Sequence, residues 1–541
     1  MIAHMLRTAS RVPRLLPRVL VVLLPLLAGN GRAAAEPPAA SFDALATTVR
    51  KAVESDKPED ALRAYARIGP LADPRAVDLV LDTAPRVVAR RDALVKEQTD
   101  AATTLENALA KIEKANATTP ITPRDIAEYN KRTRKLEADR DAATVKLRDL
   151  GLDIAQWKAV LAAASSAVGL VIETLPRPKA EEGLAKLTAA WFGPKGLPES
   201  KIRWLDAVSA VKTLPVGPQL RAISMDEVED VRVRVVALSV RVARVDADVV
   251  ADTVALLASK DWPLAAEAIE GLRRLHCKEA IEPLIAFLGR EDIGRLRSDA
   301  HRALRSLTGQ KHGPFQQPWK DWWEVAKPTF VLPEKPADAA DLARPEKGLT
   351  FYGVTTFSDK ILFVLDVSGS MLDPARGDPN APAKEGERKI DAARRELKGA
   401  LGMLDPSKKF NIIFFANKVI RYQVGMVVAD KSAVELATRF AMDIEPVGGT
   451  NIHDALEAAF RIAGTAADGK NYASAVDTIY FMTDGTPTVG KLKKPEEILA
   501  AVREWNRTAH ITIHGIGVGA ECDAVFLKAL ADENGGVFVK R

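Results

Sequence analysis

Five residues in the last third of the chain could together form one metal site. Asp366, Ser368 and Ser370 lie in the run ILFVLDVSGSM. Thr450 lies in VGGTNIHDAL, and Asp484 lies in TIYFMTDGTP. All five side chains offer oxygen ligands, which suit a hard cation such as Mg²⁺ or Mn²⁺ better than they suit zinc. The residue types and their spacing therefore predict a Mg²⁺ or Mn²⁺ site built from three separate segments.

Each of the three segments lies where a loop meets a predicted strand or helix. Asp366 follows the apolar run at residues 361–365, and Asp484 follows a second such run, TIYFM. Thr450 comes after two glycines and just before a predicted helix. Because ligands of a parallel α/β sheet bind at the carboxyl ends of its strands, these three loops can meet at one edge of a sheet.

Strands and helices alternate along residues 348–541. The apolar patterns predict strands at 361–365, 410–415, 478–482, 511–518 and 537–539, with 419–422 as an edge partner. Helical patterns lie at 389–404, 433–442, 452–463, 496–506 and 525–534. This alternation predicts a mostly parallel, doubly wound α/β sheet of the Rossmann-like kind.

Residues 358–541 resemble a von Willebrand factor type A (VWA) domain. The metal-ion-dependent adhesion site of that family has the pattern Asp-x-Ser-x-Ser, then a Thr, then an Asp, and all five positions match here. The resemblance implies that the serines and the threonine bind Mg²⁺ or Mn²⁺ directly, while the aspartates often act through water. It also implies a protein ligand that offers a carboxylate to the metal.

The rest of the chain is predicted to be helical. Dense charge and a near-heptad apolar series indicate a coiled-coil-like hairpin at about 86–150. Pairs of small and large apolar residues recur at spacings of 31 and 35 from Ala237-Leu238, which resembles HEAT-type helical repeats. The predicted organisation is a signal peptide at 1–35, a flexible lead-in at 36–58, a helical region at 59–175, HEAT-like repeats at 180–325, a linker at 326–347 and the VWA domain at 348–541.

The leader and the composition limit where the protein works. Arginines precede the apolar run VLVVLLPLLAG, which is too short to span a bilayer and predicts a secretory signal peptide. We expect a secreted or periplasmic protein, with an uncleaved amino-terminal anchor as the alternative, and no later membrane span. The two cysteines, Cys277 and Cys522, are expected to be separate buried thiols, with an inter-domain disulfide as the alternative. With a net charge of only +5 and no basic stripe, nucleic-acid binding is not expected.

The function predicted from these features is non-enzymatic capture of a protein ligand through the metal, with the helices as a scaffold. A Mg²⁺-dependent phosphatase would need a second Asp where Ser368 stands, and a serine hydrolase would want Gly-x-Ser-x-Gly around its nucleophile. A phosphate-binding Gly-x-x-x-x-Gly-Lys-Ser/Thr motif does not occur in the sequence. Two alternatives are a structural envelope component and a VWA subunit of a larger machine, neither of which needs metal-dependent capture. The oligomeric state is not predicted.

Overall fold

The computed structural model describes residues 41–116, 123–193, 197–334, 349–375, 387–464 and 475–541. The predicted signal peptide lies outside these residues, as does most of the predicted linker.

The described residues before the linker form helices joined by turns. The helices are α1 (Phe42–Glu54), α2 (Pro58–Ile68), α3 (Arg75–Asn116), α4 (Pro123–Thr174), α5 (Arg177–Trp191), α6 (Pro198–Ser209), α7 (Gly217–Met225), α8 (Val231–Arg244), α9 (Val249–Leu256), α10 (Trp262–Leu275), α11 (Ile281–Leu288), α12 (Leu296–Thr308) and α13 (Gln316–Ala326).

Helix α1 corrects the prediction of a flexible lead-in at 36–58. The Ser41 side chain accepts a hydrogen bond from the Ala44 backbone N–H at 3.3 Å, which caps the helix. Phe42, Leu45 and Val49 then form one buried face at spacings of three and four residues. A lead-in rich in Ala, Pro and charge thus contains an amphipathic helix that packs into the first helical core.

The two long helices α3 and α4 pack against each other, and they extend beyond the predicted hairpin at both of its chain ends. By length and composition, Asp149–Thr174 within α4 could cross a membrane, contrary to the expectation that no later segment is long enough. In this structure 65% of its most apolar stretch is buried within the protein, and Trp157, Val160 and Val168 belong to the first helical core. Buried core helices pass the same test of length and composition.

A second helical core is formed by α8 to α13. The recurring pairs that suggested repeats are buried on alternate helices, with Ala237-Leu238 on α8, Ala268-Ile269 on α10 and Ala303-Leu304 on α12. Trp319 and Trp323 of α13 are buried at the end of this core. The helical region is therefore observed, while its assignment to the HEAT type stays a prediction.

The carboxyl-terminal residues alternate strand and helix. The strands are β1 (Leu349–Phe351), β2 (Val354–Thr356), β3 (Lys360–Asp366), β4 (Lys409–Phe415), β5 (Val419–Arg421), β6 (Val427–Val428), β7 (Thr478–Thr483), β8 (Thr512–Gly517) and β9 (Phe538–Lys540). The helices are α14 (Lys389–Gly402), α15 (Lys431–Asp443), α16 (Ile452–Ile462), α17 (Pro495–Asn506) and α18 (Ala524–Glu533).

The main sheet has the strand order β5-β4-β3-β7-β8-β9, with β6 also pairing with β4. Strands β4, β3, β7, β8 and β9 are parallel, and the short β5 and β6 are antiparallel to β4. Side chains of β3 alternate between the two faces: Phe363 packs in the core with α14 and α15, and Val364 packs in the core with α16, α17 and α18. The predicted doubly wound α/β fold is confirmed. Strand β6 and the separate β1–β2 hairpin were not predicted.

The helical region packs against the amino-terminal ends of the sheet strands. The Arg295 guanidinium, just before α12, donates a hydrogen bond to the Thr512 hydroxyl at the start of β8. Arg507, in the turn that leads into β8, pairs with Asp206 of α6. The carboxyl ends of the strands, where the candidate residues lie, form the opposite edge of the sheet.

His514 of β8 gives the stability a pH dependence. Burial, together with the charges of Arg302 and Arg295, lowers the pKa of His514 from 6.5 to about 3. As the pH falls below 6.5, the unfolded chain therefore binds a proton at this histidine, whereas the folded chain does not. The free energy of unfolding then decreases by up to about 1.4 kcal/mol per pH unit.

Urea unfolding between pH 7.5 and pH 5, a window of about 2.5 units that includes the ordinary His pKa, measures this contribution. His514→Asn keeps an acceptor for the Val537 N–H, which donates to His514 Nδ1 at 3.1 Å. The free energy of unfolding of the variant should fall less steeply with falling pH than that of the wild type. The difference in slope should correspond to the uptake of about one proton fewer on unfolding. Equal slopes would show that His514 does not titrate in this way.

Candidate metal centre

Asp366 is the last residue of β3 and is fully buried. Its Oδ1 accepts the Ser368 N–H at 2.8 Å, and its Oδ2 accepts the Thr483 hydroxyl at 2.5 Å. Burial, together with the neighbouring charge of Asp484, raises the pKa of Asp366 to about 6, although the hydrogen bonds from Ser368 and Thr483 act to lower it. This carboxylate has lost its hydration, so a nearby positive charge would stabilise it.

The two serines curl back over the end of β3. Residues Gly369–Leu372 form a short 3-10 turn, which brings the Ser368 and Ser370 hydroxyl oxygens to 3.1 Å from each other. Ser368 is buried, whereas Ser370 is exposed. The Ser370 hydroxyl also donates to Asp484 Oδ1 at 2.9 Å, so the first and third loops are joined directly at the candidate ligands.

Thr450 lies in the loop before α16 and is buried. Its N–H donates to the Thr488 hydroxyl at 2.8 Å. A Cβ built on Gly485 would lie 3.6 Å from the Thr450 hydroxyl oxygen, so this hydroxyl faces the residue that follows Asp484. The preceding Gly448 has a φ of +81° and accepts the Gly369 N–H at 2.9 Å, which ties the second loop to the first.

The structure brings the three predicted loops together at the carboxyl edge of the sheet. Hydrogen bonds connect Asp366, Ser368, Ser370 and Asp484, and backbone contacts bring the loop of Thr450 against both neighbouring loops. The donor set is oxygen only, with two carboxylates and three hydroxyls, and it fits a hard divalent cation.

Sequence reasoning missed a lysine in this cluster. Lys389, the first residue of α14, is 5% exposed, and its Nζ lies 2.7 Å from Asp484 Oδ2. It is separated from Asp484 by 95 positions, so spacing gave no signal of the pairing. The helix beginning at Lys389 was predicted, but the direction of its first side chain was not.

Thr483, the other missed residue, ends β7 and donates to Asp366. A sequence signal for this contact was available, because Asp366 and Thr483 each directly follow a predicted strand and the two strands are parallel neighbours. Asp373, three residues after Ser370, is exposed, and its backbone oxygen accepts the Lys389 N–H at 3.0 Å.

Within the described residues, His453, Asp454 and Glu457 form a second group whose ligand atoms lie within 4.8 Å of one another. Several of their polar atoms already have protein partners. His453 Nδ1 lies 2.8 Å from Asp454 Oδ1, and Glu457 pairs with both Lys491 and Arg461. Two cations thus already neutralise the glutamate of this group.

A family model described as the von Willebrand factor type A domain matches residues 359–539. Inter-alpha-trypsin inhibitor heavy chain H4 of Homo sapiens is 32% identical over 186 residues, which are 34% of this chain and 18% of that protein. Heavy chain H2 of Homo sapiens is 34% identical over 178 residues, 33% of this chain and 17% of that protein. The chain therefore spans less than a fifth of the length of these relatives.

Among solved structures, a von Willebrand factor type A protein from Catenulispora acidiphila is 20% identical, with a TM-score of 0.28. It covers 35% of this chain, which in turn spans 40% of it. The match of the family model falls on the region that holds the doubly wound sheet and the three loops. Residues 359–539 of this chain are a von Willebrand factor type A domain.

Proposed function

We propose that the VWA domain captures a protein ligand through a Mg²⁺ or Mn²⁺ ion. Asp366, Ser368, Ser370, Thr450 and Asp484 would hold the ion. The observation that carries the proposal is the direct link between separate loops at the carboxyl edge of the sheet, where the Ser370 hydroxyl binds both Ser368 and Asp484. VWA domains often bind a divalent metal, and this supports the assignment.

Some residues of the centre fix the loop, and another makes the centre accessible to solvent. The buried Asp366 fixes the loop through the Ser368 N–H, and Thr483 fixes the carboxylate in turn. Ser370 is exposed, so the centre is reachable from solvent on that side. A divalent cation bound here would supply an electrophile for the carboxylate of a ligand, and waters would complete its shell.

The position of the helical region supports its role as a scaffold. It packs against the amino-terminal ends of the strands through Arg295 and Asp206, which leaves the opposite edge available to a partner. The relatives are named as heavy chains of an inhibitor, which is consistent with a part in protein assembly. Export through the predicted leader and the absence of enzymatic activity belong to the same proposal.

A second candidate function is a structural component or machine subunit that uses the domain without metal. One observation favours it: Lys389 already places a positive charge against Asp484. In that case protein partners would bind equally well when divalent ions are removed.

Affinity capture from an envelope extract of the source organism separates the two functions. The full chain should retain partners in Mg²⁺ and release them in EDTA. Asp366→Asn, which keeps the size of the side chain, should retain none in either buffer. Partners held equally with Mg²⁺, with EDTA and by the variant would contradict metal-dependent capture and favour the structural role.

A further inference from the structure

Lys389 is held in place by contacts on three sides. Its backbone N–H donates to the Asp373 carbonyl at 3.0 Å, which fixes the start of α14. A Cβ on Gly519 would lie 3.0 Å from Lys389 Cε, and Gly519 has a φ of +81°, so the loop after β8 closes tightly over the lysine stem. The ammonium is thereby directed at Asp484 in a nearly closed environment.

Both oxygens of Asp484 are already bound by the protein. Oδ1 accepts the Ser370 hydroxyl at 2.9 Å, and Oδ2 accepts Lys389 Nζ at 2.7 Å. A metal ion that approaches Asp484 therefore meets a carboxylate whose charge is balanced by an ammonium. Because both side chains are buried, little solvent screens this pair.

The net charge of the metal-loaded centre depends on whether Lys389 is counted. Asp366 and Asp484 contribute two negative charges, and Lys389 contributes one positive charge. A divalent cation would then leave the centre with one excess positive charge, which a single ligand carboxylate would neutralise. Without the lysine, the same cation would neutralise the centre by itself, and a ligand carboxylate would add an uncompensated buried charge.

We propose that Lys389 is a built-in counter-cation that weakens the binding of Mg²⁺ alone and makes the metal-loaded centre select an anionic ligand. The inference rests on the proposed metal site and its carboxylate ligand, and it adds a residue outside the five candidate ligands that sets the charge of the metal-loaded centre. Lys389 acts here through its positive charge beside Asp484, and it does not bind the metal. A purely structural ion pair would change the stability of the domain and leave its intrinsic affinity for Mg²⁺ unchanged.

Titration calorimetry of the full chain with Mg²⁺ tests this role. Lys389→Met removes the charge and keeps the apolar stem, and Lys389→Gln removes the charge and keeps a hydrogen-bond donor. Both variants should bind Mg²⁺ at least about tenfold more tightly than the wild type, since a nearby positive charge that opposes the metal is gone. Lys389→Arg, which keeps the charge, should remain within about threefold of the wild type.

Lys491→Met is the matched control. Lys491 is another nearly buried lysine of the same domain, and its ion pair is with Glu457, outside the five candidate ligands. Its removal should lower stability without changing the Mg²⁺ affinity. Circular dichroism checks that each variant is folded, and Lys389→Gln carries the test if Lys389→Met does not fold.

The coupling to a ligand is measured with acetate as the probe. Replacing chloride by acetate at equal ionic strength should raise the Mg²⁺ affinity of the wild type more than that of Lys389→Gln. Equal gains would overturn the selectivity for an anionic ligand.

The outcomes separate this inference from the proposed function. Unchanged or weaker Mg²⁺ binding in both charge-removing variants, with binding by the wild type, overturns the role of Lys389 alone. Absence of binding in the wild type and in every variant overturns the metal site itself. Binding that appears only after Lys389 is replaced supports its role as a counter-cation and overturns metal-dependent capture by the natural protein.

Discussion

Asp366→Asn is expected to abolish Mg²⁺ binding while leaving the metal-free protein at least as stable as the wild type. Asp366 is fully buried, and its raised pKa records the loss of hydration of a charged group. Asn removes that charge, so folding no longer transfers a carboxylate out of water. The same change removes half of the negative charge that would attract the cation.

Hydrogen bonding is preserved in this variant. The side-chain oxygen of the substituted asparagine would accept the Ser368 N–H, as Asp366 Oδ1 does now, and its amide nitrogen would face Thr483. The Thr483 hydroxyl can rotate to accept from that amide, because a hydroxyl is both donor and acceptor. The fold of the loop is therefore expected to survive, and the two effects on metal and on stability should separate.

Thermal unfolding with Mg²⁺ and with EDTA measures both effects. At a Mg²⁺ concentration about 100 times the dissociation constant, the wild type gains about 2.7 kcal/mol, and the variant should gain nothing. Asp373→Asn is the matched control, since this exposed acid of the same loop contacts Ser370 and Lys389 through its backbone. A full Mg²⁺ response in Asp366→Asn would remove Asp366 from the ligand set.

Gly169→Ala is expected to be the most damaging small substitution in the helical region. A Cβ at this position of α4 would lie 2.2 Å from the Ala207 backbone oxygen of α6. A backbone atom cannot move aside as a flexible side chain can, so α4 and α6 must separate. Overpacking of a core usually costs about 1–3 kcal/mol, and we expect the upper end of that range or more.

Gly399→Ala is the same substitution in α14, and it is expected to raise stability rather than lower it. Gly399 lies inside α14, and a Cβ there would meet no atom within 4 Å apart from the adjacent backbone of its own helix. Alanine lowers the entropy of the unfolded chain, so this variant should gain about 0.5–1 kcal/mol. Urea unfolding compares the two. A Gly169→Ala variant as stable as the wild type would contradict the close packing of α4 against α6 at this position.

The sheet and its three loops were predictable because their signals are local. Residues 361–365 form an apolar run long enough for one buried strand, and Asp366 follows it directly. The parallel arrangement then required the loops of Asp366 and Asp484 to leave at the same edge. Alternation and strand ends therefore gave both the fold class and the grouping of the candidate residues.

The pairing of Lys389 with Asp484 could not be predicted in the same way. It depends on the direction in which α14 begins and on the tight passage of the chain at Gly519. These are tertiary constraints, which neither the helical period nor a motif encodes. Helix α1 is a different case, because the capping Ser41 and the apolar spacing of Phe42 and Leu45 are local signals that predict a helix even in a segment rich in Ala and Pro.

Titration of the metal-stripped full chain with Mg²⁺, and separately with Mn²⁺, tests the central claim most directly. The account predicts saturable binding at one site per chain for each ion, with the binding heat lost in Asp366→Asn and in Asp484→Asn. Absence of a saturable binding heat for both ions in the wild type would contradict a metal centre at the carboxyl edge of this sheet. A binding heat in both variants equal to that of the wild type would contradict it as well.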